Sequence, residues 1–242
     1  MDELIFYGLL FVVALLYASV GHGGASGYLA LMAIFGMSVD TMKSSALILN
    51  LFVSLIAFIQ FYKGGHFHFK SFLPFALASV PLSFVGGLVH IDSHIYKILL
   101  GVFLMFAVIR MLFFDNLENN KNPLPSVAIS LLIGGSIGFL SGLLGIGGGI
   151  ILSPILILLY SMNQKQAAAI SAIFIFVNSF AGLSGQLAKG VNIDPQIYFY
   201  VIIAFVGGTV GSYLGASKLN HRALKYVLSL VLSIAIFKLL NQ

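Results

Sequence analysis

A chain of 242 residues with 60% hydrophobic and only 8% charged side chains has too little polar surface to cover a water-soluble globule of that size. Its mean hydropathy of +1.06 points to an integral membrane protein, and its net charge of +5, read as loop charge, orients a chain in the bilayer rather than recruiting nucleic acid. Cysteine is absent, which excludes a disulfide framework and thiolate metal sites.

Apolar stretches approaching the ~20 residues that span a bilayer run from Leu4 to Ala18, Leu47 to Phe61, Phe72 to Val89, Ile98 to Phe114, Val127 to Leu144, Ala167 to Leu187, Ile197 to Leu214 and Leu224 to Leu240. These eight segments predict an all-α membrane bundle and not a barrel of alternating strands. The first begins Met1-Asp2-Glu3 with no basic leader and reads as a retained span.

Two glycine clusters interrupt this pattern, Gly21-His22-Gly23-Gly24 and Gly145-Ile146-Gly147-Gly148-Gly149. They belong to an internal repeat: a shift of 124 to 128 residues carries Gly21, Gly23 and Gly24 onto Gly145, Gly147 and Gly148, and Gln60, Lys63, Gly87, Lys97 and Arg110 onto Gln186, Lys189, Gly215, Lys225 and Lys238. Matches spread along each half outweigh any single motif. The polar, proline-containing stretch 115–125 then separates an N-terminal transmembrane repeat, 1–114, from a C-terminal one, 126–242.

The topology turns on the glycines. Were residues 4–36 one kinked helix, it would be about 50 Å long at ~1.5 Å per residue, too long for a hydrocarbon core of roughly 30 Å. A hairpin fits better, with Tyr28 to Phe35 returning part way as a half-helix and Ile150 to Tyr160 doing the same in the second half. The single-helix reading divides the twelve Lys and Arg residues evenly. The hairpin reading sets Lys63, Lys70, Arg110, Lys121, Lys165, Lys218, Arg222 and Lys225 against Lys43, Lys97, Lys189 and Lys238, an asymmetry that puts the eight inside and both termini outside. Three full crossings per half make the repeats inverted.

In lipid, backbone leaves a helix only where protein or an aqueous cavity satisfies it. The half-helices start at the breaks, so their unbonded N–H groups and positive dipole ends meet near the midplane, which favours an anion. The bland alternative is that glycine permits close helix packing, which suits Gly86-Gly87, Gly134-Gly135, Gly138 and Gly207-Gly208. Candidate ligand groups are Gly21, His22, Gly23, Gly24 and Ser26 at the first break, Gly145, Gly147, Gly148 and Gly149 at the second, and the intramembrane amides Asn50, Gln60, Asn178 and Gln186. Ser44, Ser45, Ser54, Ser153, Ser171, Ser179 and Ser184 offer further hydroxyls that serve equally as interhelical glue. Lys63 and Lys189 read as headgroup anchors or as vestibule cations, and Arg110 and Lys238 as anchors. The loop histidines 66, 68, 90 and 94 lack the carboxylate or thiolate company of a metal site. No acidic residue falls clearly inside a span, leaving His22 as the one candidate proton carrier.

The stretches Gly145-Ile-Gly-Gly-Gly-Ile-Ile-Leu-Ser-Pro154 and Gly21-His-Gly-Gly-Ala-Ser-Gly-Tyr-Leu-Ala30, with Gln-x-x-Lys-Gly closing the third segment of each half, resemble those of the TauE/SafE sulfite exporter (TSUP) family over essentially the full length. The resemblance implies a bacterial inner-membrane permease for sulfite, thiosulfate, sulfoacetate or other sulfonates. An enzyme is not expected, because the spans offer no acid, metal cluster or nucleophile–base pair, and no cofactor is expected. The expected partners are a small anionic substrate and the lipid bilayer, and a homo-oligomer is compatible with the sequence. A passive anion channel on the same half-helices is the rival reading. The first repeat departs from the family pattern at His22, Ala25 and Ala30, where the second half has a third glycine and Pro154.

Overall fold

A computed structural model describes residues 2–19, 23–113, 126–160, 162–215 and 221–240. Among these the protein is all-helical. In chain order the helices are α1 (Asp2–Ser19), α2 (Ala25–Ile34), α3 (Val39–Lys63), α4 (Phe69–Leu88), α5 (Ser93–Phe113), α6 (Val127–Leu144), α7 (Gly149–Leu159), α8 (Gln164–Ala188), α9 (Ile197–Gly215) and α10 (His221–Leu240). The loop 115–125 lies outside the described residues. Helices α3, α4, α6 and α8 are long and apolar enough to cross a membrane, and the others include shorter apolar helices.

The lengths follow one order twice. Helices α1 and α6 both have 18 residues, and α3 and α8 both have 25. The short α2 and α7, of 10 and 11 residues, reach about 15 Å at ~1.5 Å per residue, half of a hydrocarbon core of roughly 30 Å. Both fold back along the helix before them. Phe6 near the start of α1 stacks edge-on against Phe35 just past the end of α2, with ring centroids 5.2 Å apart, while Tyr17 near the end of α1 shares a 2.8 Å hydrogen bond with Ser26 at the start of α2. In the second hairpin Ser130 near the start of α6 bonds to Tyr160 just beyond α7.

The long helices start earlier than the hydrophobic stretches suggest, and local capping explains why. Ser38 accepts a hydrogen bond from the Thr41 amide, and Asp40 adds a negative charge in the first turn of α3, where it suits the helix dipole. Asn163 and Gln166 form a reciprocal capping box at the start of α8. The polar turn containing Asp40, Thr41 and Lys43 therefore belongs to α3. This corrects the reading of all the charge as loop charge: Lys43 is helical and only 3% exposed.

At the centre α3 and α8 cross antiparallel, with Leu47 against Gly182 and Asn50 bonded to Ser179. Around them α4 packs on α6, α1 on α9, and α10 on α5 and α2. Glycine stripes make two of these contacts close. A Cβ on Gly134, Gly138 or Gly142 of α6 would fall 1.9–2.4 Å from the carbonyl oxygens of Phe75, Ser79 and Ser83 on α4, and one on Gly211 of α9 would fall 2.1 Å from that of Leu15. The packing alternative therefore describes these glycines well. The outer surface is apolar: Tyr198, Phe199, Ile202 and Tyr213 of α9 are each more than 60% exposed, as lipid contact requires.

Candidate functional site

The two hairpin turns meet at one place. Helix α6 stops at Gly145, whose left-handed conformation (φ 80°) closes the helix while its amide bonds to the Ser141 carbonyl at 2.8 Å. Gly147 and Gly148 also have positive φ, 70° and 78°, a region that costs an L-residue about 1–2 kcal/mol, and α7 starts directly after them. Helix α2 starts after Gly24 in the same left-handed region (φ 91°). Neither Gly24 nor Gly148 offers a side-chain cap; the Ile151 amide bonds to the Gly148 carbonyl at 3.2 Å, and the amides ahead of it in α7 and those that open α2 are left for a ligand.

Both turns touch the same two side chains. A Cβ on Gly23 would lie 3.0 Å from Asn50 Oδ1 and 2.9 Å from Ile175 Cγ2; one on Gly147 would lie 2.6 Å from Asn50 Nδ2 and 2.8 Å from Ile175 Cγ2. Asn50 is fully buried. Its Nδ2 donates to Ser179 Oγ at 3.4 Å, and its Oδ1 has no partner. A small cavity opens beside it, lined by Tyr17, Gly23, Gly24, Ser26, Asn50 and, on its apolar side, residues that include Phe103 and Ile175. Among the described residues that lining carries no charged side chain, so the field they set comes from backbone amides and neutral dipoles.

The cavity is asymmetric for a definite reason. Asn50 and Ile175 hold the twelfth position of their 25-residue helices, and Ser54 and Ser179 the sixteenth. Asn50 reaches Ser179 across the crossing, whereas Ile175 has nothing to offer Ser54, whose buried Oγ is left without a partner.

The structure brings Gly23, Gly24, Ser26, Gly147 and Asn50 together, with Gly149 packed on Ile175 and Gly148 turned instead toward Ile137 and Phe174. Gly145 stands slightly apart, against the Lys43 backbone at 3.1 Å. Gly21 and His22 lie outside the described residues. Asn178 Nδ2 donates to the Phe174 carbonyl of its own helix at 2.8 Å, its backbone carbonyl accepts from Ser83 Oγ at 2.7 Å, and its Oδ1 has no partner. The glutamines diverge because α3 and α8 run in opposite directions. Gln60 donates to Ser212 Oγ on α9 at 2.7 Å, and Gln186 sits at the other end of the crossing, 2% exposed and with neither polar atom partnered. Ser153 lies within hydrogen-bond distance of Ser171 Oγ and the Gly149 carbonyl, so this pair holds α7 on α8.

The sequence names Ser179 only as one of several candidate hydroxyls and does not single out Tyr17, which lies within an apolar span; Lys238, which reads as an anchor, donates to the Ile34 carbonyl that ends α2. A lysine matched to the C-terminus of a half-helix is the available signal, since cations favour that end.

Comparison with known proteins places the chain among membrane transporters. Across its coverage the chain is 36% identical over 234 residues to the probable membrane transporter protein y4hK of Sinorhizobium fredii, covering 95% of each chain. It is 30% identical over 199 residues to the probable membrane transporter protein MJ0441 of Methanocaldococcus jannaschii, covering 78% of this chain and 73% of the relative, and 24% identical over 212 residues to the probable membrane transporter protein YunE of Bacillus subtilis, covering 78% and 76%. No solved structure matches. The family model described as sulfite exporter TauE/SafE matches residues 6–239, and the chain therefore belongs to the TauE/SafE family of multi-pass membrane transporters.

Proposed function

We propose that the protein is a transporter of small anions, sulfite, thiosulfate or organosulfonates, which bind between the two glycine turns and cross by alternating access. The carrying observation is the convergence of two uncapped half-helix starts on Asn50 and Ser179. Helix N-termini supply N–H donors and positive potential where an oxyanion needs them, and a carboxylate-free lining adds nothing that repels it. The family description names sulfite, in keeping with this chemistry. The site residues of this reading are Gly23, Gly24, Ser26, Asn50, Gly147, Gly148 and Gly149, with Gly21 and His22 in the first turn.

Halves 1–114 and 126–242 act as inverted repeats in this mechanism. The antiparallel crossing of the equivalent helices α3 and α8 supports that arrangement, as does the way α2 and α7 fold back on α1 and α6. Rocking of one half against the other then exposes the same site to alternate sides. The positive-inside count puts both termini outside the cytoplasmic membrane of a bacterium.

Uptake of radiolabelled sulfite, thiosulfate and sulfoacetate into proteoliposomes, with and without unlabelled anion preloaded inside, tests the reading. Saturable uptake accelerated by preloading is expected. Unsaturable flux would replace the carrier with a channel, and no flux of any anion would overturn the anion assignment.

A further inference from the structure

A second group of polar side chains lies along the same helix crossing and takes no part in the central site. Lys43 and Asn50 are seven residues apart on α3, and Gln186 and Ser179 seven apart on α8, so each pair shares one helix face, two turns and about 10 Å apart. Asn50 bonds to Ser179, and Leu47 packs on Gly182 one turn along. Continued by another turn, that antiparallel register sets Lys43 level with Gln186.

Both are buried, and the side-chain amide of Gln186 is left unsatisfied. Lys43 is 3% exposed, and its ammonium lies over the Tyr96 ring at 5.6 Å from the centroid. Among the described residues, Asp40, exposed on the preceding turn, and a second cation, Lys189, at the end of α8, act on it. Gln186 has neither its amide nitrogen nor its oxygen partnered. The ring face offsets part of the desolvation of an ammonium, but another cation nearby opposes it, and a buried orphan amide adds a further cost. An anion among these groups would satisfy all three. The cluster is also tied to the second glycine turn: Tyr96 OH donates to the Leu144 carbonyl at 2.9 Å, and Gly145 packs on the Lys43 backbone.

We infer that Lys43, Gln186 and Lys189 form a second anion site at the mouth of the path, about two helical turns from Asn50, where the transported anion docks before or after the central site. This rests on the anion-transport reading. Lys43 supplies the charge that the central cavity lacks, Gln186 a neutral donor, and Lys189 draws anions from the surface.

The test uses the full chain in proteoliposomes with the same three labelled anions, and in detergent with each anion as a stabiliser against thermal unfolding. K43M keeps the length of the side chain and removes a buried charge, a change that leaves folding intact or improves it. The mouth site requires its KM to rise by roughly tenfold or more, the scale of a lost hydrogen bond to a charged partner, and its anion-induced thermal shift to shrink, with K43R recovering most of both. Q186L is expected to unfold no earlier than wild type and to raise KM several-fold. A structural lysine would give the opposite pattern, early unfolding of K43M with unchanged KM in the folded fraction. If K43M does not fold, the half-buried Lys189 decides: K189Q must raise KM, and an unchanged value overturns the site. Wild-type flux with KM unaltered in K43M overturns the mouth site alone; absence of wild-type flux overturns it together with the anion reading.

Discussion

Replacing Gly147 by alanine separates the role of the turn as a site from its role as a strained loop. At φ 70° an alanine costs about 1–2 kcal/mol in any context. At Gly147 the new methyl also lies 2.6 Å from Asn50 Nδ2 and 2.8 Å from Ile175 Cγ2, and the amide must withdraw by about 0.8 Å to reach ordinary contact at 3.4 Å. Overpacking of this kind costs roughly 1–3 kcal/mol more. Gly36 provides the control. Its φ is 71°, but a Cβ there meets nothing within 4 Å, so G36A carries the backbone term alone. We expect G36A to transport within about twofold of wild type. G147A should unfold earlier than G36A and lose roughly tenfold or more in kcat/KM, because displacement of a ligand group by a fraction of an ångström is enough to spoil its geometry. The assay is initial anion uptake in proteoliposomes normalised to inserted protein, beside thermal unfolding in detergent. Equal transport by the two variants would refute the assignment of Gly147 to the site.

The paired serines of the crossing give opposite expectations. S179A strands Asn50 Nδ2 and should cost about 1–3 kcal/mol, whereas S54A removes an oxygen that has no partner and should be neutral or stabilising, both read by thermal unfolding. Among the packing glycines, G138A would set a methyl 2.3 Å from the Ser79 carbonyl and should prevent stable insertion, as followed by yield of monodisperse protein. G8A, with open space around it in α1, should stabilise by up to ~1 kcal/mol through helix propensity. K238M should destabilise the C-terminal end of α2 by roughly 0.3–1 kcal/mol by losing a dipole-complementing cation, with hydrogen exchange at Phe35 and Gly36 rising before that of α3.

What the sequence carried well was periodic. Glycine clusters at matched places marked the helix ends at Leu144 and before Ala25, because no other residue tolerates positive φ there without strain, and helix-length arithmetic favoured the hairpins that Phe6–Phe35 and Tyr17–Ser26 make. Hydropathy failed where capping governs. Asp40 and Thr41 look like loop residues until Ser38 is recognised as a cap, and Lys43 followed them out of the helix on paper although it is buried inside it. The separation of the two glutamines is hidden from the sequence for another reason. Equivalence by repeat places Gln60 and Gln186 together only if the two halves are parallel, and an antiparallel crossing sends them to opposite ends. Ser179 became visible as the partner of Asn50 only with the register of that crossing in hand, which no spacing within one helix encodes.

On the proposed inverted-repeat arrangement, that register also explains how similar halves would produce an unequal site. If both central helices carried asparagine at their twelfth positions, two amides would reach two serines and the crossing would hold itself together with reciprocal hydrogen bonds. With Ile175 opposite, one of those bonds is missing, Asn50 Oδ1 and Ser54 Oγ stay unsatisfied, and an apolar wall faces a polar one across the cavity. Lys43 deepens the inequality, since the equivalent fifth position of α8 is Ala168. The proposed inverted repeats suit a path that opens to either side in turn, whereas an anion on this path would meet a cation at one mouth and not at the corresponding place at the other. Substrate affinity measured from the two sides should therefore differ, and K43M should bring the two values closer together. Equal affinities from both sides in the wild type would show that the asymmetry of the crossing has no bearing on transport.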